Sequence, residues 1–482
     1  MEPGTPPGLL GASRSHLRMV SPPRQLAFRI LSRVESGREF AVDLLEAPEM
    51  AGLSGRDHRL ATELVMGVLR AHGDLDRTIE EVSGKSLSYF DCEIATILRL
   101  GIFQIRYLTK IPKRAAVDEA VKLAKLARRR SAAGLVNAVL RKCEPAAAGV
   151  PAGDEGEDAS SEWTRRAVRS LPAWLAARWE KRFGGAAMAA LARSSLETPP
   201  TVLRVESAEA RDEVARRLAL GGIETRPGRF SPLALIVELA SAGRTKSPRS
   251  GGAEIEAPRY DWTKEGVVIQ DEASQLVALL LAPRAGARVL DLCAAPGIKT
   301  GQVAQALARG GIVACDRSAG RLRTMRRLLA GFVPPEVEVF GVRLDASAAL
   351  PFGVEFDRIL VDAPCSGTGT LARNPEIKLR LVPEDLLRFA AIQARILANA
   401  LKALARGGRL VYATCSLEAE ENEDVVAKAL HNVSGLRIVP GAELSGEFPL
   451  WASLFDAQGF FHSRPDLHAM DGFFAAVIER VS

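Results

Sequence analysis

Two cysteines occupy the same kind of place in this chain. Cys365 lies in DAPCSGTGT (residues 362–370) and Cys415 in YATCS (residues 412–416), each after an apolar run of strand character, 356–361 and 409–414. A lone cysteine is most often a small packed hydrophobe, but its thiolate is a strong nucleophile, and a pair at successive strand ends is a different object. A third motif, DLCAAPGIKT (residues 291–300), continues the run 288–292 and leads into a helical pattern. Small residues at such a turn let backbone approach a ligand. The turn has neither GxGxxG nor GxxxxGK[ST], so a dinucleotide or phosphate cradle is not its reading. Asp316 ends the next run, 25 residues after Asp291, where a carboxylate can accept hydrogen bonds from both hydroxyls of a ribose. Asp345 follows the run 336–340, placed to hold an adenine amino group. Singly, each acid reads as a solvated loop carboxylate; three at strand ends read as an adenosine site.

Two thiols beside an adenosine-type site suit one reaction. C5 of cytosine is too electron-poor to attack a methyl group unaided. A thiolate that adds to C6 turns the ring into an enamine, whose C5 can take a methyl from a sulfonium. The C5 proton must then leave and the thiol be expelled, a step a second cysteine can assist. Spacing alone leaves open which cysteine does which.

These motifs need a scaffold that brings strand ends together. From residue 266 onward, apolar strands at 288–292, 312–315, 336–340, 356–361 and 409–414 alternate with amphipathic helices, the pattern of an open parallel sheet covered on both faces. Ligands of such sheets bind beyond the carboxyl ends of the strands. The alternating stretch 473–478 reads as a closing edge strand. Residues 24–143 carry three-to-four-residue apolar spacing, as at Leu26, Ile30, Leu31 and Val34, and predict a bundle of about six short helices with almost no strand. Residues 162–265 mix a helical start, an alternating stretch at 200–205, a helix near 208–220 and a run at 233–239, and read as a small α+β module. Residues 144–161 read as a flexible linker and 241–258 as a surface insertion. No repeat of solenoid length appears.

With 482 residues, 47% hydrophobic and 25% charged, the chain has ordinary globular composition and room for two to four domains. No uncharged apolar run of membrane-spanning length occurs, and residues 1–20 have no continuous apolar core, so neither a membrane span nor a secretory signal is expected. Residues 1–18 read as a disordered extension or an over-called start. Six widely spaced cysteines without a CxxC pair and six scattered histidines argue against a metal and for a reducing, cytoplasmic setting. Residues 1–145 hold 23 Lys and Arg against 17 Asp and Glu, the whole of the chain's net charge of +6. That excess, densest around Lys122, Lys125, Arg128, Arg129 and Arg130, suits a polyanion or is simply an exposed helix face.

Taken together, DLCAAPGIKT, DAPCSGTGT, RNPEIK (373–378), YATCS with EENE (420–423) and DGFFAA (471–476) resemble the bacterial 16S ribosomal RNA cytosine-5 methyltransferases of the RsmB (Sun) type, within the Nop2/Sun superfamily. The resemblance implies an all-α NusB-like RNA-binding bundle at 21–145, a small α+β RRM-like module at 162–265 and a Rossmann-like α/β methyltransferase domain at 266–482. It implies Cys415 as the nucleophile, Cys365 as the group that promotes release, and Asp362 between cofactor and base, where it helps fix the cytosine. It further implies that Cys293, Ala294, Ala295, Pro296, Gly297, Lys299, Asp316, Arg321, Asp345 and Asp362 contact S-adenosyl-L-methionine. The implied substrate is 16S rRNA or a small-subunit assembly intermediate with an unpaired or flipped cytosine. No membrane, no metal and a monomer complete the expectation. One departure is Ile298 in place of the second glycine of CAAPGGKT; a β-branched residue requires conventional backbone there. Alternatives are a tRNA or other rRNA cytosine-5 methyltransferase, a non-catalytic RNA-binding protein and a nicotinamide-dependent oxidoreductase; the last needs a glycine fingerprint that is absent.

Overall fold

Helical spacing in the N-terminal third becomes a bundle because each stripe has another to bury against. The computed structural model describes residues 20–37, 39–145, 161–238, 262 and 266–481. The extension 1–18 and nearly all of the expected linker and the 241–258 insertion lie outside these residues. The bundle contains α1 (Pro22–Glu35), α2 (Ala41–Leu45), α3 (Pro48–Ala51), α4 (Gly55–Arg70), α5 (His72–Ser83), α6 (Cys92–Arg106), α7 (Lys113–Leu126) and α8 (Ala133–Lys142). Among the described residues that is eight α-helices rather than about six, because α2 and α3 are too short to show a period. Helix α6 is central: every residue from Ile94 to Ile105 is buried. Within the basic stretch, Lys122 pairs with Asp118 and Glu119 at 2.8 and 2.9 Å, while Lys125, Arg128 and Arg130 are exposed.

Helices α9 (Glu162–Arg169), α10 (Ala173–Phe183) and α11 (Gly185–Leu196) were expected to open the middle module. Instead Leu171, Leu175, Trp179, Leu191 and Leu196 share one core with Leu64, Ile97 and Leu140 of the bundle. The middle sheet is antiparallel, in the order β2-β3-β1-β4, from β1 (Val202–Arg204), β2 (Thr225–Pro227), β3 (Ala234–Val237) and β4 (Val268–Ile269), with α12 (Arg211–Leu220) packed against it. Its fourth strand comes from beyond residue 265, since two residues are too few to carry an alternation signal.

The C-terminal sheet runs β10-β12-β9-β8-β5-β6-β7, with β11 paired to β12. Its parallel part is β5 (Arg288–Asp291), β6 (Gly310–Asp316), β7 (Val337–Arg343), β8 (Phe356–Asp362) and β9 (Leu404–Thr414). Strand interiors such as Ile359, Leu360 and Val361 are buried, as sheets covered on both faces require. Helices α13 (Glu272–Leu279), α14 (Ile298–Leu307), α15 (Ala319–Leu329), α16 (Ile377–Arg380), α17 (Pro383–Lys402) and α18 (Glu423–Leu430) belong to this domain. The expected edge strand is β12 (Phe473–Arg480), but it is not at an edge. It runs antiparallel between β9 and β10 (Leu436–Ile438), with β11 (Phe461–Ser463) on the same side as β10. Its buried residues Phe473 to Ile478 reflect pairing on both sides.

The RNPEIK segment and α16 reach into the helical bundle. Lys378 Nζ donates to the Arg70 carbonyl at 2.6 Å, Arg70 Nε donates to the Ala372 carbonyl at 2.8 Å, and Glu376 Oε1 accepts the Ala41 N–H at 3.1 Å. Leu371 and Leu417 complete the bundle's apolar core. Among the described residues no helix is long and apolar enough to cross a membrane.

Candidate active site

The site is assembled at the carboxyl ends of β5, β6, β8 and β9, where Asp291, Asp316, Asp362 and Thr414 are the last strand residues. Strands β8 and β9 are parallel neighbours with Asp362 opposite Ala413. Cys365 and Cys415 follow three and one residues later. Their Sγ atoms lie 3.4 Å apart, although 50 residues separate them in the chain. Both are half-buried, and all six cysteines are free. The hydrogen bond with Cys415, then burial, push the Cys365 thiol far above the usual range, so it holds its proton at neutral pH. Burial likewise pushes Cys315 up to about 12, and Cys143 and Cys293 upward.

The turn after β5 behaves as its composition implies. Gly297 takes φ +106°, and a Cβ there would meet Met325 Cγ at 2.5 Å. Ile298 is the first residue of α14 and has ordinary helical backbone, so the departure from a second glycine is absorbed. Ala294, Ala295 and Gly297 are buried, Cys293 half-buried and Pro296 exposed. Asp291 is buried, its Oδ2 accepting from Thr300 Oγ1 at 2.8 Å; burial pushes its carboxyl up to about 7.

Asp316 is 5% exposed and accepts the Ser318 N–H at 2.7 Å. Arg321 pairs with its Oδ2 at 3.2 Å and also donates to the Ala295 carbonyl, tying the ends of β5 and β6 together. Lys299 Nζ donates to Asp362 Oδ2 at 2.8 Å and lies 5.0 Å from the Phe473 ring centroid. Burial alone would lower the Lys299 ammonium, but the Asp362 carboxylate, with Cys415 and Asp291 adding to it, outweighs burial and holds it above the usual lysine value. Asp345 stands apart. It is exposed, and its Oδ1 accepts the N–H and hydroxyl of Ser347 at 3.0 and 2.7 Å, which holds its carboxyl below the usual value.

A polar layer beneath the cysteines is not legible in the motifs. Ser366 and Ser416, the residues after each cysteine, both bond the carboxylate of Glu421, and so does Gln393 of α17. Arg373 bridges Asp271 and Asp471 at 2.9 and 3.0 Å, joining the start of α13, the RNPEIK segment and the DGFFAA segment. On the far side, Glu418 accepts from Trp179 Nε1 at 3.0 Å and pairs with Arg178, and Arg182 pairs with Glu423 at 3.0 Å, so α10 grips the loop after Cys415. Paired serines and the EENE run were the visible signal; their partners were not. Among the described residues no group of three or more His, Cys, Asp or Glu could hold a metal ion.

A nucleoside sulfonium fits the residues present. Bare backbone at residues 294–297, the Asp316 carboxylate at a strand end and two thiols at the adjacent strand ends are the parts such a ligand and a methyl acceptor require.

Three family models match successive parts of the chain. The family model described as 16S rRNA methyltransferase RsmB/F matches residues 278–479, the NusB family model residues 21–145, and a ferredoxin-like domain model of RsmF/B-like methyltransferases residues 171–242. A Bacillus subtilis relative named "Probable ribosomal RNA small subunit methyltransferase B" is 32% identical, covering 94% of this chain and 97% of its own. Ribosomal RNA small subunit methyltransferase B of Pseudomonas putida is 32% identical, covering 86% of this chain and 90% of its own. The crystal structure of PH0851 matches with a TM-score of 0.72 at 22% identity, covering 95% of this chain and 99% of that one, a likeness of fold. The chain belongs to the RsmB/F methyltransferase family, whose members take their methyl group from S-adenosylmethionine.

Proposed function

We propose that this protein methylates C5 of a cytosine in 16S rRNA through a covalent adduct between Cys415 and C6. The observation that carries the reading is the 3.4 Å approach of Cys365 and Cys415 Sγ at the ends of adjacent strands, beside the turn and carboxylate suited to an adenosine. S-adenosylmethionine, when bound, supplies an electrophilic methyl group. Cys293, Ala294, Ala295, Pro296, Gly297, Lys299, Asp316, Arg321, Asp345 and Asp362 are the residues assigned to hold it. Asp316, already half satisfied by Arg321, would accept from the ribose hydroxyls; Asp345 keeps Oδ2 for the adenine amino group.

The Cys415 thiolate forms a bond to C6 and moves the ring's electron pair to C5, which then takes the methyl as the sulfonium's S–CH3 bond breaks and leaves a neutral thioether. Loss of the C5 proton to water returns that pair to the ring as the C6–S bond breaks and Cys415 leaves as thiolate. Cys365, held as a thiol by its neighbour and by burial, is the proton-bearing group beside the leaving sulfur, which supports its role in release. Asp362 is the carboxylate for the cytosine amino group. The domain division we adopt is 21–145 for RNA docking, 162–265 as the small module and 266–482 for catalysis, with the helices of 162–196 packed on the docking bundle.

The test uses wild type, Cys415→Ala and Cys365→Ala with methyl-labelled S-adenosylmethionine and unmodified small-subunit rRNA. Wild type yields 5-methylcytosine, Cys415→Ala yields neither product nor adduct, and Cys365→Ala accumulates a protein–RNA adduct that survives a denaturing gel. Methylation of tRNA but not rRNA would move the substrate and keep the chemistry. Full activity in both cysteine variants would remove the mechanism.

A further inference from the structure

The thiols approach each other only if two loops from different strands hold their register, and one side chain spans both. Glu421 is fully buried and lies directly behind the cysteine pair. Its Oε1 accepts the Ser366 N–H at 2.9 Å and Gln393 Nε2 at 2.9 Å. Its Oε2 accepts the Ser416 hydroxyl at 2.6 Å and the Ser366 hydroxyl, and those hydroxyls lie 3.0 Å from each other. Gln393 donates also to the Pro364 carbonyl at 2.8 Å, and Tyr412 donates to the Glu421 carbonyl at 2.6 Å. Four donors converge on two oxygens, an arrangement that only an acceptor-only carboxylate satisfies completely.

We propose that Glu421 is a positioning residue for the two-cysteine reaction: by bridging Ser366 and Ser416 it sets the distance and orientation of Cys365 and Cys415. The proposal rests on the mechanism above and adds a group that touches neither substrate nor cofactor. Each serine directly follows its cysteine, so fixing both serines fixes both Sγ positions. The loops have other stitches, Gly369 N to the Cys415 carbonyl and Leu417 N to Thr368 Oγ1, both at 2.9 Å. Those stitches keep the loops attached when the carboxylate is removed, so what is lost is the lateral register of the thiols. Burial pushes the Glu421 carboxyl up and the serine and glutamine donors oppose that shift, while its charge adds to the forces that keep Cys365 protonated. The same carboxylate that aligns the pair thereby helps keep its two members chemically unlike.

Full-length Glu421→Ala and Glu421→Gln are compared with wild type in two assays. Without RNA, the diamide-driven closure of a Cys365–Cys415 disulfide is followed by mass spectrometry; the two thiols lose two electrons and two protons to diamide, which becomes the hydrazine. With rRNA and S-adenosylmethionine, kcat, KM for RNA and the denaturation-resistant adduct are measured. The expected result for Glu421→Ala is disulfide closure slowed about 10-fold and kcat lowered about 100-fold, the scale of a misplacement near 1 Å. KM for RNA stays within about twofold and the adduct builds up, as release loses its aligned thiol. Glu421→Gln, which keeps one oxygen and the volume, falls between wild type and alanine in both assays; it decides the matter alone if the alanine variant does not fold. Closure rates and kcat equal to wild type in the folded variants would overturn the proposal, as would a loss confined to KM. The disulfide assay involves no methyl transfer, so failure of wild type to make 5-methylcytosine would count against the mechanism and not against the positioning.

Discussion

At the scale of single residues, the chemistry is set by which charges are left paired. Lys299 and Asp362 are 13% and 29% exposed and face each other at 2.8 Å between the turn after β5 and the loop after β8. Removing one member of such a pair leaves the other desolvated without compensation. Lys299→Met is therefore expected to destabilise the fold by about 2–3 kcal/mol, below the range for a fully buried pair because Asp362 keeps some water. Denaturant unfolding at pH 7 measures it, and an unchanged midpoint would show that water serves Asp362 as well as the ammonium does. Both members were visible as motif residues in the sequence. Their pairing is not legible there, because 63 residues separate them and no periodicity links one to the other.

Elements act by holding loops against each other. The loop after β8 touches both the loop after β9 and the segment before β12: Gly369 N donates to the Cys415 carbonyl at 2.9 Å, and Gly472 N donates to the Gly369 carbonyl at 2.8 Å. A Cβ at Gly369 would collide with the Gly472 carbonyl and lie 2.8 Å from its Cα. Backbone cannot swing aside as a side chain can, so Gly369→Ala is expected to cost about 3 kcal/mol or more. Thermal unfolding measures it, and an alanine variant as stable as wild type would refute the close approach. This contact lays the segment before β12 against the loop after β8. Alternation at 473–478 marked a strand without saying which strands would flank it, because a two-residue period reports facing and not neighbours.

For the molecule as a whole, the RNPEIK segment joins the catalytic domain to the helical bundle through Arg70 and Lys378, which donate to backbone carbonyls, and through Glu376. Burial, with the Arg70 charge adding to it, pushes the Lys378 ammonium down to about 7. An unfolded lysine titrates near 10.4, so between about pH 7 and 10 the unfolded chain binds more protons. The Lys378 contribution to stability therefore grows as pH rises through that window and is lost as pH falls through about 7. Relative to Lys378→Met, wild type should gain up to about 1.4 kcal/mol per pH unit across it. Unfolding free energies of both proteins at pH 6.5, 8 and 9.5 check this, and parallel curves would mean that the interface does not depress this lysine. The basic excess of the N-terminal third, read as one surface, is partly neutralised by Asp118 and Glu119 and keeps its exposed share at Lys125, Arg128 and Arg130.

The chain alone shows the strand ends, the small-residue turn and the two thiols, because strand periodicity and motif residues are local properties. It shows the family for the same reason, since five short motifs carry it. What lies between distant segments appears only in the folded molecule. The 3.4 Å between Cys365 and Cys415 exists because β8 and β9 are parallel neighbours with Asp362 opposite Ala413. The bridge through Glu421, the grip of α10 on the following loop and the place of α9–α11 in the bundle depend on pairings between segments far apart in the chain. No periodicity encodes those pairings; they follow from which buried donor finds an acceptor once the cores have closed.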